Sequence, residues 1–255
     1  MSIEVGNKLN RLLQKSNSGG VYFSSWLKEN GYSDQLVKKY RDSSWLSSLS
    51  KGVMYRTGDK LSIFSVLDSY NKQLNNSCHI AAHSALELAG YNHYVPMGKP
   101  LLVVFHPKEE RVPLWLKNEE FDRTLNFFST EVFSKSQLVS FNPSYPHLQV
   151  SVPEQAFLEC LLLAPKQYSY MDLYYIMEQL TTLRPDVVQE LLENTDNLKV
   201  KRMFLYMAEK AVHYWFDLLD TDKIELGSSK YQLVKNGAYI PKYKITIPKE
   251  LREYE

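Results

Sequence analysis

The sequence predicts an α+β protein, with an N-terminal winged helix-turn-helix followed by a larger mixed α/β C-terminal domain. Three observations favour this class. Three short helical patterns and a hairpin pattern follow one another in the first quarter, that quarter holds an excess of basic residues, and the remainder mixes strand and helix patterns. The 255 residues are enough for two domains. We predict a DNA-binding-type domain at 1–76 and a second domain at 77–255.

The formal net charge of +1 is a cancellation between two unlike parts of the chain. Residues 1–60 hold ten basic and five acidic side chains, a balance of +5. The other 195 residues hold the remaining twenty basic and twenty-four acidic side chains, a balance of −4. A basic module is typical of phosphate binding, so we expect the two modules to have different partners.

Apolar spacing predicts two short helices at the start of the chain. The first carries leucines at helical spacing and ends before Gly19-Gly20. After the extended residues 21–23, Ser24 and Ser25 are candidate N-caps of a second helix. The turn signal Asn30-Gly31 ends that helix.

The third helix is the candidate recognition helix. Ser33 is its candidate N-cap, and Leu36, Val37 and Tyr40 form one apolar face. A helix that enters the DNA major groove must expose hydrogen-bond donors. The predicted DNA contacts of this segment are Ser33, Gln35, Lys38, Lys39 and Arg41.

A β-hairpin follows the third helix and completes the winged helix pattern. Residues 45–49 and 53–56 are strand-like, and Ser50-Lys51-Gly52 is the turn between them. Lys51 at the tip and Arg56 on the return strand are predicted to hold backbone phosphate. A solvated basic helix face is the alternative interpretation, but the helix order, glycine turn, hairpin and charge excess coincide, which favours double-stranded DNA as the partner.

The rest of the chain predicts an α+β domain. Residues 61–74 are predicted as a helix that leads out of the wing and ends near Asn75-Asn76. Further helices are predicted at 81–89, 153–163, 170–180, 185–193 and 198–211. Strands are predicted at 101–105, 124–128, 148–152, 231–234 and 243–247, with Asn236-Gly237 as a turn.

Composition excludes several classes of protein. No run of 18 apolar residues occurs, so we expect no membrane span, and the first residues show no apolar signal core. Cys78 and Cys160 are predicted to be free thiols in a reducing cytoplasm. We therefore expect a cytoplasmic protein.

One group of residues invites a metal interpretation. His79, His83 and Glu87 are spaced four apart, and Cys78 precedes them. The segment lacks the Glu that follows the first His of a zinc protease helix, and no second Cys/His group has zinc spacing. We favour a structural role and predict no metal site.

Other catalytic patterns are incomplete. Asp220-Thr221-Asp222 precedes Gly227-Ser228-Ser229-Lys230, the reverse of the order that a nucleotidyltransferase needs to hold metal and triphosphate. Residues 185–199 lack the Glu-x-Lys triplet of a metal-dependent nuclease, and no glycine-rich phosphate loop or Gly-x-Ser-x-Gly elbow is present. We predict no catalytic residues, and therefore no enzyme.

Three basic residues open one of the apolar helices. Lys199, Lys201 and Arg202 lie near its N-terminus, where positive charge opposes the helix dipole. They are predicted to contact something acidic. A partner-binding surface and a salt-bridged surface are both open at this point.

The ordered set of motifs resembles the AbiEi-type antitoxins of type IV abortive-infection toxin–antitoxin systems. The similar segments extend from about Leu12 to Leu251. They include Trp26-Leu27-Lys28, Gly52-Val53-Met54-Tyr55-Arg56, Ala85-Leu86-Glu87-Leu88-Ala89-Gly90-Tyr91-Asn92-His93-Tyr94, Ser151-Val152-Pro153-Glu154-Gln155-Ala156, Leu180-Thr181-Thr182-Leu183-Arg184-Pro185 and Lys242-Tyr243-Lys244-Ile245-Thr246-Ile247-Pro248. One departure is Ala81-Ala82-His83, where the family often has Gly-Gly-Lys.

The resemblance implies a transcriptional regulator that represses its own operon by binding promoter repeats. It also implies a C-terminal domain that counters a nucleotidyltransferase-like toxin encoded alongside, and it implies no cofactor. Two rival hypotheses remain. One is a nucleic-acid-directed nuclease or nucleotidyltransferase, in which Asp220, Asp222 or Glu225 would converge in a pocket. The other is a plain transcription factor with a sensing or assembly domain.

Overall fold

A computed structural model describes residues 3–14, 17–91 and 98–254 as two compact units. The first unit comprises Met1–His79, Met97–Ser129 and Ser140–Gln149. The second comprises Ile80–Pro96, Thr130–Val139 and Val150–Glu255. Each unit is therefore built from three separate stretches of the chain.

Helices and strands alternate through the described residues, which confirms the predicted α+β class. The α-helices are α1 (Ile3–Gln14), α2 (Ser24–Glu29), α3 (Asp34–Asp42), α4 (Ile63–Leu74), α5 (Ala82–Leu88), α6 (Leu114–Asn118), α7 (Pro153–Leu163), α8 (Tyr170–Gln179), α9 (Pro185–Glu193), α10 (Leu198–Lys210) and α11 (Lys249–Glu253). The strands are β1 (Tyr22–Phe23), β2 (Leu46–Ser50), β3 (Val53–Arg56), β4 (His79–Ile80), β5 (Leu101–His106), β6 (Thr124–Ser129), β7 (Leu138–Asn142), β8 (Tyr145–Ser151), β9 (Tyr231–Gln232), β10 (Ala238–Ile240) and β11 (Ile245–Ile247). Two 3₁₀ helices span Tyr214–Leu218 and Thr221–Lys223.

The start of the first unit is a winged helix-turn-helix. Its elements occur in the order α1, β1, α2, α3, β2, β3, and the three strands form an antiparallel sheet in the order β1-β3-β2. Helices and sheet share one core, because each presents a single apolar face to the others. The buried core residues are Leu9, Leu12, Tyr22, Leu27, Tyr32, Val37, Tyr40, Leu46 and Met54.

Neither of the predicted N-caps of α2, Ser24 and Ser25, occupies the cap position. Ser24 is the first residue of the helix, Phe23 occupies the cap position, and no side chain caps this end. The Ser24 N–H is already paired with the Gly52 carbonyl oxygen at 2.9 Å, because β1 continues to Phe23 beside the hairpin. Tertiary pairing therefore sets the start of α2 in place of local capping.

Buried polar side chains of α4 join the winged helix to strands that come much later in the chain. Asp68 accepts a hydrogen bond from the His147 N–H at 2.7 Å. The Asn71 amide donates to the carbonyl oxygens of Cys78 and His147, both at 2.8 Å. The Gln73 side chain accepts from the Phe23 N–H at 2.9 Å and donates to the Val21 carbonyl oxygen at 2.7 Å. These bonds explain why the first unit continues beyond residue 76.

A five-stranded sheet has the strand order β6-β5-β4-β8-β7. At one end, β5 and β6 are parallel over six residue pairs from Leu101↔Thr124 to His106↔Ser129. Both were predicted, whereas β7 and the short helix α6 were missed. Edge strand β7 is largely exposed and therefore lacks the apolar run that marks a buried strand.

Helix α7 holds the three stretches of the second unit together. Its Gln155 side chain accepts from the Gln137 N–H at 2.6 Å, and Glu159 accepts from the Ala82 N–H at 2.7 Å. Glu154 receives the backbone N–H, Nε and Nη2 of Arg184 at 2.9, 3.0 and 2.9 Å. All three side chains of α7 are at most 2% exposed, so their polar atoms need these partners.

The C-terminal sheet has three strands, one more than predicted, in the order β10-β11-β9. Strand β9 is parallel to β11, and β10 is antiparallel to it. The predicted turn Asn236-Gly237 is followed directly by the missed strand β10. At Gly237 an added Cβ would lie 2.2 Å from the Ile247 carbonyl oxygen, so only glycine fits this close approach.

Candidate nucleic-acid interface

Helix α3 is positioned by one cap and one buried face. The Ser33 hydroxyl oxygen accepts from the Leu36 N–H at 3.3 Å, as predicted, and fixes where the helix begins. Val37 and Tyr40 are buried and Leu36 packs at the edge of the same core. Ser33 is exposed, but its oxygen already acts as a cap, so its part in any DNA contact is to position the helix end.

The remaining face of α3 is open to solvent and carries three cations. Gln35, Lys38, Lys39 and Arg41 are all exposed. Among the residues that the structure describes, no ion pair or side-chain hydrogen bond engages the cationic groups of Lys38, Lys39 or Arg41. A concentrated set of unpaired donors on a rigid helix is the arrangement that DNA recognition requires.

Two carboxylates lie on the same helix as these cations. Asp34 is in the first turn, where it stabilises the positive end of the helix dipole, and Asp42 is at the end. Both are exposed. They limit the orientations in which α3 can approach phosphates, because a carboxylate facing a phosphate is repelled.

The hairpin turn presents Lys51 in solvent. Gly52 follows it with a φ of +76°, and its carbonyl oxygen accepts from the Ser24 N–H. A Cβ added at Gly52 would lie 2.9 Å from the Ser24 Oγ, so glycine is favoured here by both conformation and space. The exposed Lys51 therefore stands on a turn that is anchored to the start of α2.

Arg56 differs from Lys51 because it has an acidic neighbour. Its Nε lies 3.8 Å from the Asp59 Oδ1, and half of the side chain is exposed. The other oxygen of Asp59 accepts from the Gly19 N–H at 3.1 Å. A long, exposed ion pair of this kind contributes little free energy, so Arg56 is free to exchange it for a phosphate.

The two charged side chains nearest the centre of α10 are buried, which corrects the expectation that they contact a partner. Arg202 is 0% exposed and donates to the carbonyl oxygens of Leu226 and Lys244. Lys201 is 4% exposed and donates to the Glu225 carbonyl oxygen at 3.2 Å. A partner needs accessible side chains, so these two residues stabilise the second unit internally.

Lys199 has a related structural contact. Its half-buried ammonium group donates to the carbonyl oxygens of Leu162 and Ala164 at 2.9 and 2.7 Å. These carbonyls lie at the C-terminal end of α7, where a cation is favoured by the helix dipole. Burial lowers the pKa of Lys199, with a further contribution from Lys166. Backbone carbonyls, rather than the expected acidic side chains, therefore receive all three bases.

Two of the residues with metal-ligand spacing, Cys78 and His83, have other partners in the structure. The Cys78 thiol contacts the Asn71 Oδ1 at 3.0 Å, and His83 stacks with Tyr168. Cys78 and Cys160 are both buried and free. Within residues 3–14, 17–91 and 98–254, no group of three or more His, Cys, Asp or Glu side chains is arranged to hold a metal ion.

The acidic residues of the rival enzyme hypothesis are exposed. Asp220 pairs with Lys223 at 2.8 Å, and Asp222 lies in the neighbouring 3₁₀ turn. Side-chain hydrogen bonding from Lys223 lowers the pKa of Asp220. Asp220, Asp222 and Glu225 are all solvent-exposed.

No described helix is both long and apolar enough to cross a membrane. A comparison with curated protein sequences gives no match. Among solved structures, the chain is similar to the crystal structure of the RV2827C protein from Mycobacterium tuberculosis, with a TM-score of 0.62 and 14% sequence identity. That match covers 96% of this chain and 91% of the other, and at this identity it supports the fold alone.

Two family models match consecutive parts of the chain. The model of the AbiEi antitoxin N-terminal domain, a transcriptional regulator, matches residues 6–97, which include most of α1, all of α2 and α3, and the hairpin. The model of the AbiEi antitoxin transcriptional regulator of type IV toxin–antitoxin systems matches residues 99–248. Together they confirm the resemblance seen in the sequence. The chain belongs to the family of AbiEi antitoxin transcriptional regulators of type IV toxin–antitoxin systems.

Proposed function

We propose that this protein binds double-stranded promoter DNA of its own operon through α3 and the hairpin, and thereby represses that operon in the cytoplasm. The observation that carries the proposal is the solvent-exposed cationic face of α3, with Lys38, Lys39 and Arg41 unpaired among the described residues. Membership of a transcriptional regulator family supports it.

The position of each side chain on α3 suggests a division of labour. Recognition helices contact base edges with residues near their N-terminus, where Gln35 presents an amide that can donate and accept. Lys38, Lys39 and Arg41 follow in the second half and are suited to phosphates. We expect Gln35 to contribute sequence preference and the three cations to contribute affinity.

The hairpin adds a second phosphate contact. Lys51 is exposed on an anchored turn, and the ion pair that holds Arg56 is long. Replacing either residue with alanine should weaken binding to all DNA sequences by a similar factor, because a phosphate contact carries no information about the bases. Replacing Gln35 should instead reduce the difference between promoter and unrelated DNA.

A gel-shift titration with the region immediately upstream of the reading frame tests this assignment. We expect the wild-type protein to bind that duplex more tightly than a scrambled duplex of equal length. The Gln35→Ala variant should narrow the difference, and the Lys51→Ala variant should keep it while binding both duplexes more weakly. Equal binding of both duplexes by the wild-type protein would contradict promoter recognition.

We further propose that the protein counters a nucleotidyltransferase-like toxin encoded beside it. Family membership supports this, and the burial of Lys201 and Arg202 removes them as toxin contacts. Co-expression of the full chain with the neighbouring reading frame should relieve growth arrest. The variant with Lys38, Lys39 and Arg41 replaced by alanine should relieve arrest equally when the toxin is expressed from an independent promoter. Continued arrest with the wild-type chain would refute this part of the proposal.

A further inference from the structure

Trp45 is an exposed aromatic side chain at the junction of α3 and the hairpin. It follows α3 by three residues and immediately precedes β2, although the sequence pattern had placed it inside the strand. Its side chain is 43% exposed, while Trp215 is fully buried and Trp26 and Trp115 are half-buried. Trp45 is thus the most exposed of the four tryptophans.

The backbone at Trp45 is fixed from both sides. Its N–H donates to the Tyr40 carbonyl oxygen at 2.9 Å, and its own carbonyl oxygen accepts from the Thr57 N–H at 3.1 Å. The Ser44 N–H donates to the Arg41 carbonyl oxygen at 2.9 Å. The Trp45 and Ser44 bonds to the end of α3 form a Schellman motif, which ties Trp45 to the last turn of the helix.

The left-handed position of this Schellman motif is occupied by a residue for which that conformation is strained. Ser44 takes the left-handed position with a φ of +57°, where glycine is the usual residue. The chain therefore accepts strain to send Trp45 out of the helix at this point. Residues held in sparsely populated conformations often belong to functional sites.

A purely structural role does not account for the exposed part of the indole. In a Schellman motif the residue at this position commonly packs on the helix residue five before it, here Tyr40. A smaller apolar side chain would make that contact without leaving a large aromatic surface in water. The indole instead combines an apolar ring with one N–H donor, which suits a partner that offers both sugar carbons and anionic oxygens.

The surroundings of Trp45 identify that partner. Arg41 lies four residues earlier on α3, and Arg56 is the register partner of Leu46, the residue after Trp45. Both arginines are exposed. Arg56 also directly precedes Thr57, whose N–H bonds the Trp45 carbonyl oxygen, so two of the predicted phosphate contacts are near neighbours of Trp45 in sequence or strand register.

We propose that Trp45 is a contact to the DNA backbone between the recognition helix and the hairpin. The ring packs on a deoxyribose, and the indole N–H donates to a phosphate oxygen. This contact is independent of base sequence and sets affinity rather than specificity. The inference rests on the proposed DNA-binding function.

The test uses the full chain, the duplex from immediately upstream of its reading frame, and two readouts. Acrylamide quenching of tryptophan emission reports how accessible Trp45 is, and anisotropy of a labelled duplex reports affinity. We expect DNA to reduce the quenching of the wild-type protein about twofold. The Trp45→Phe variant should show no DNA-dependent change, because its other tryptophans are half-buried or buried.

Affinity separates a contact from a packing residue. We expect Trp45→Ala to weaken binding about tenfold and Trp45→Phe about threefold, since phenylalanine keeps a ring and loses the N–H donor. Leu114→Ala is the matched control, because Leu114 is 75% exposed in the same unit and should leave binding unchanged. Thermal unfolding of each variant, with Trp45→Phe as the milder change, separates misfolding from lost contact.

Each outcome has a distinct meaning. DNA binding by the wild-type protein with unchanged quenching, or wild-type affinity in a folded Trp45→Ala variant, overturns the role of Trp45 and leaves the proposed function standing. Failure of the wild-type protein to bind any duplex overturns the proposed function, and the role of Trp45 with it.

Discussion

At the residue scale, Val212 is held in a conformation that does not suit a β-branched side chain. It follows α10 with a φ of +54°, and 85% of its surface is exposed. The left-handed region costs such a residue about 1–2 kcal/mol, and glycine is the usual residue at this position after a helix. Few packing contacts are available to offset that cost.

Replacing Val212 with glycine should stabilise the protein. We expect a gain of about 1 kcal/mol, because the relief of strain exceeds the extra chain entropy that glycine brings to the unfolded state. Urea unfolding measures the change. Val212→Ala is the control, since it removes the branch but keeps the Cβ, and it should gain less. A Val212→Gly variant that is no more stable than the wild type would show that Val212 is not strained.

Replacing Gly237 with alanine should have the opposite effect and destabilise the protein. A methyl group there would overlap the Ile247 carbonyl oxygen, so Gly237→Ala should lose about 3 kcal/mol as β10 and β11 are forced apart. Gly31→Ala is the comparison, because Gly31 has a φ of +81° but open space around it and should lose about 1 kcal/mol. Equal losses in the two variants, measured by urea unfolding, would show that the close approach of Gly237 to Ile247 adds no cost of its own.

At the element scale, the pairing of Glu154 on α7 with Arg184 predicts a pH dependence. Burial would raise the pKa of Glu154, but the hydrogen bonds from the Arg184 side chain and backbone lower it by more, so the net direction is downward. A lowered folded-state pKa means that the carboxylate contributes stability above the ordinary Glu pKa of about 4.3 and loses it as the pH falls further.

Replacing Glu154 with glutamine removes that contribution. We expect Glu154→Gln to cost about 2 kcal/mol at pH 7, because a buried charged hydrogen bond is lost. The difference from the wild type should shrink as the pH falls below 4. Glu250→Gln, at an exposed position, should change neither the stability at pH 7 nor its dependence on pH. A pH-independent difference for Glu154→Gln, measured by urea unfolding from pH 3 to 7, would contradict the assigned charge state.

The elements that the sequence predicted well are those whose signals are local. Helix α3 follows from the cap Ser33 and from the apolar spacing of Val37 and Tyr40. Strand β5 follows from a continuous apolar run. Neither needs knowledge of distant residues, because capping and burial of one face are encoded within a few positions.

The elements and residues that the sequence missed depend on distant partners. Edge strand β7 is stabilised by pairing rather than by its own apolar pattern. Arg202 looks like a surface base, yet α10 is buried on every side in its middle turns and the arginine finds its acceptors at Leu226 and Lys244. Periodicity cannot reveal an acceptor that lies 24 or 42 residues away.

The proposed DNA interface could be predicted from the sequence only in part. The exposure of Gln35, Lys38, Lys39 and Arg41 follows from the period of α3 alone. The ion pair between Arg56 and Asp59 and the strained exit of Trp45 do not, since both depend on how the hairpin returns to the helices.

At the scale of the whole molecule, neither compact unit is one continuous stretch of the chain. The first unit needs residues 97–129 and 140–149 in addition to the N-terminal segment. The reason is chemical, because the buried side chains of Asp68 and Asn71 are satisfied by His147. A buried polar group without a partner costs about 1–3 kcal/mol.

A fragment of residues 1–76 should therefore be much less stable than the same segment in the full chain. We expect it to unfold at a midpoint at least about 10 °C lower, since Asp68, Asn71 and the apolar face of α4 lose their partners. Circular dichroism during heating measures this. The full chain, heated under the same conditions, is the reference. A fragment as stable as the full chain would show that these bonds are dispensable.

The charge distribution links the scales, because five of the ten basic residues among the first 60 lie at exposed positions of α3 and the hairpin. The central claim is that this surface binds DNA phosphates. Each phosphate that a cation neutralises adds about 0.9 to the slope of log affinity against log salt.

The most direct test is therefore the salt dependence of binding to the upstream duplex. The variant with Lys38, Lys39 and Arg41 replaced by alanine should bind at least about 100-fold more weakly and lose about two to three units of slope. The matched variant with alanine at the exposed positions Lys166, Lys235 and Lys249 has the same change in charge and should keep the wild-type slope. If the first variant retains both affinity and slope, or both variants lose slope equally, α3 is not the DNA-binding element.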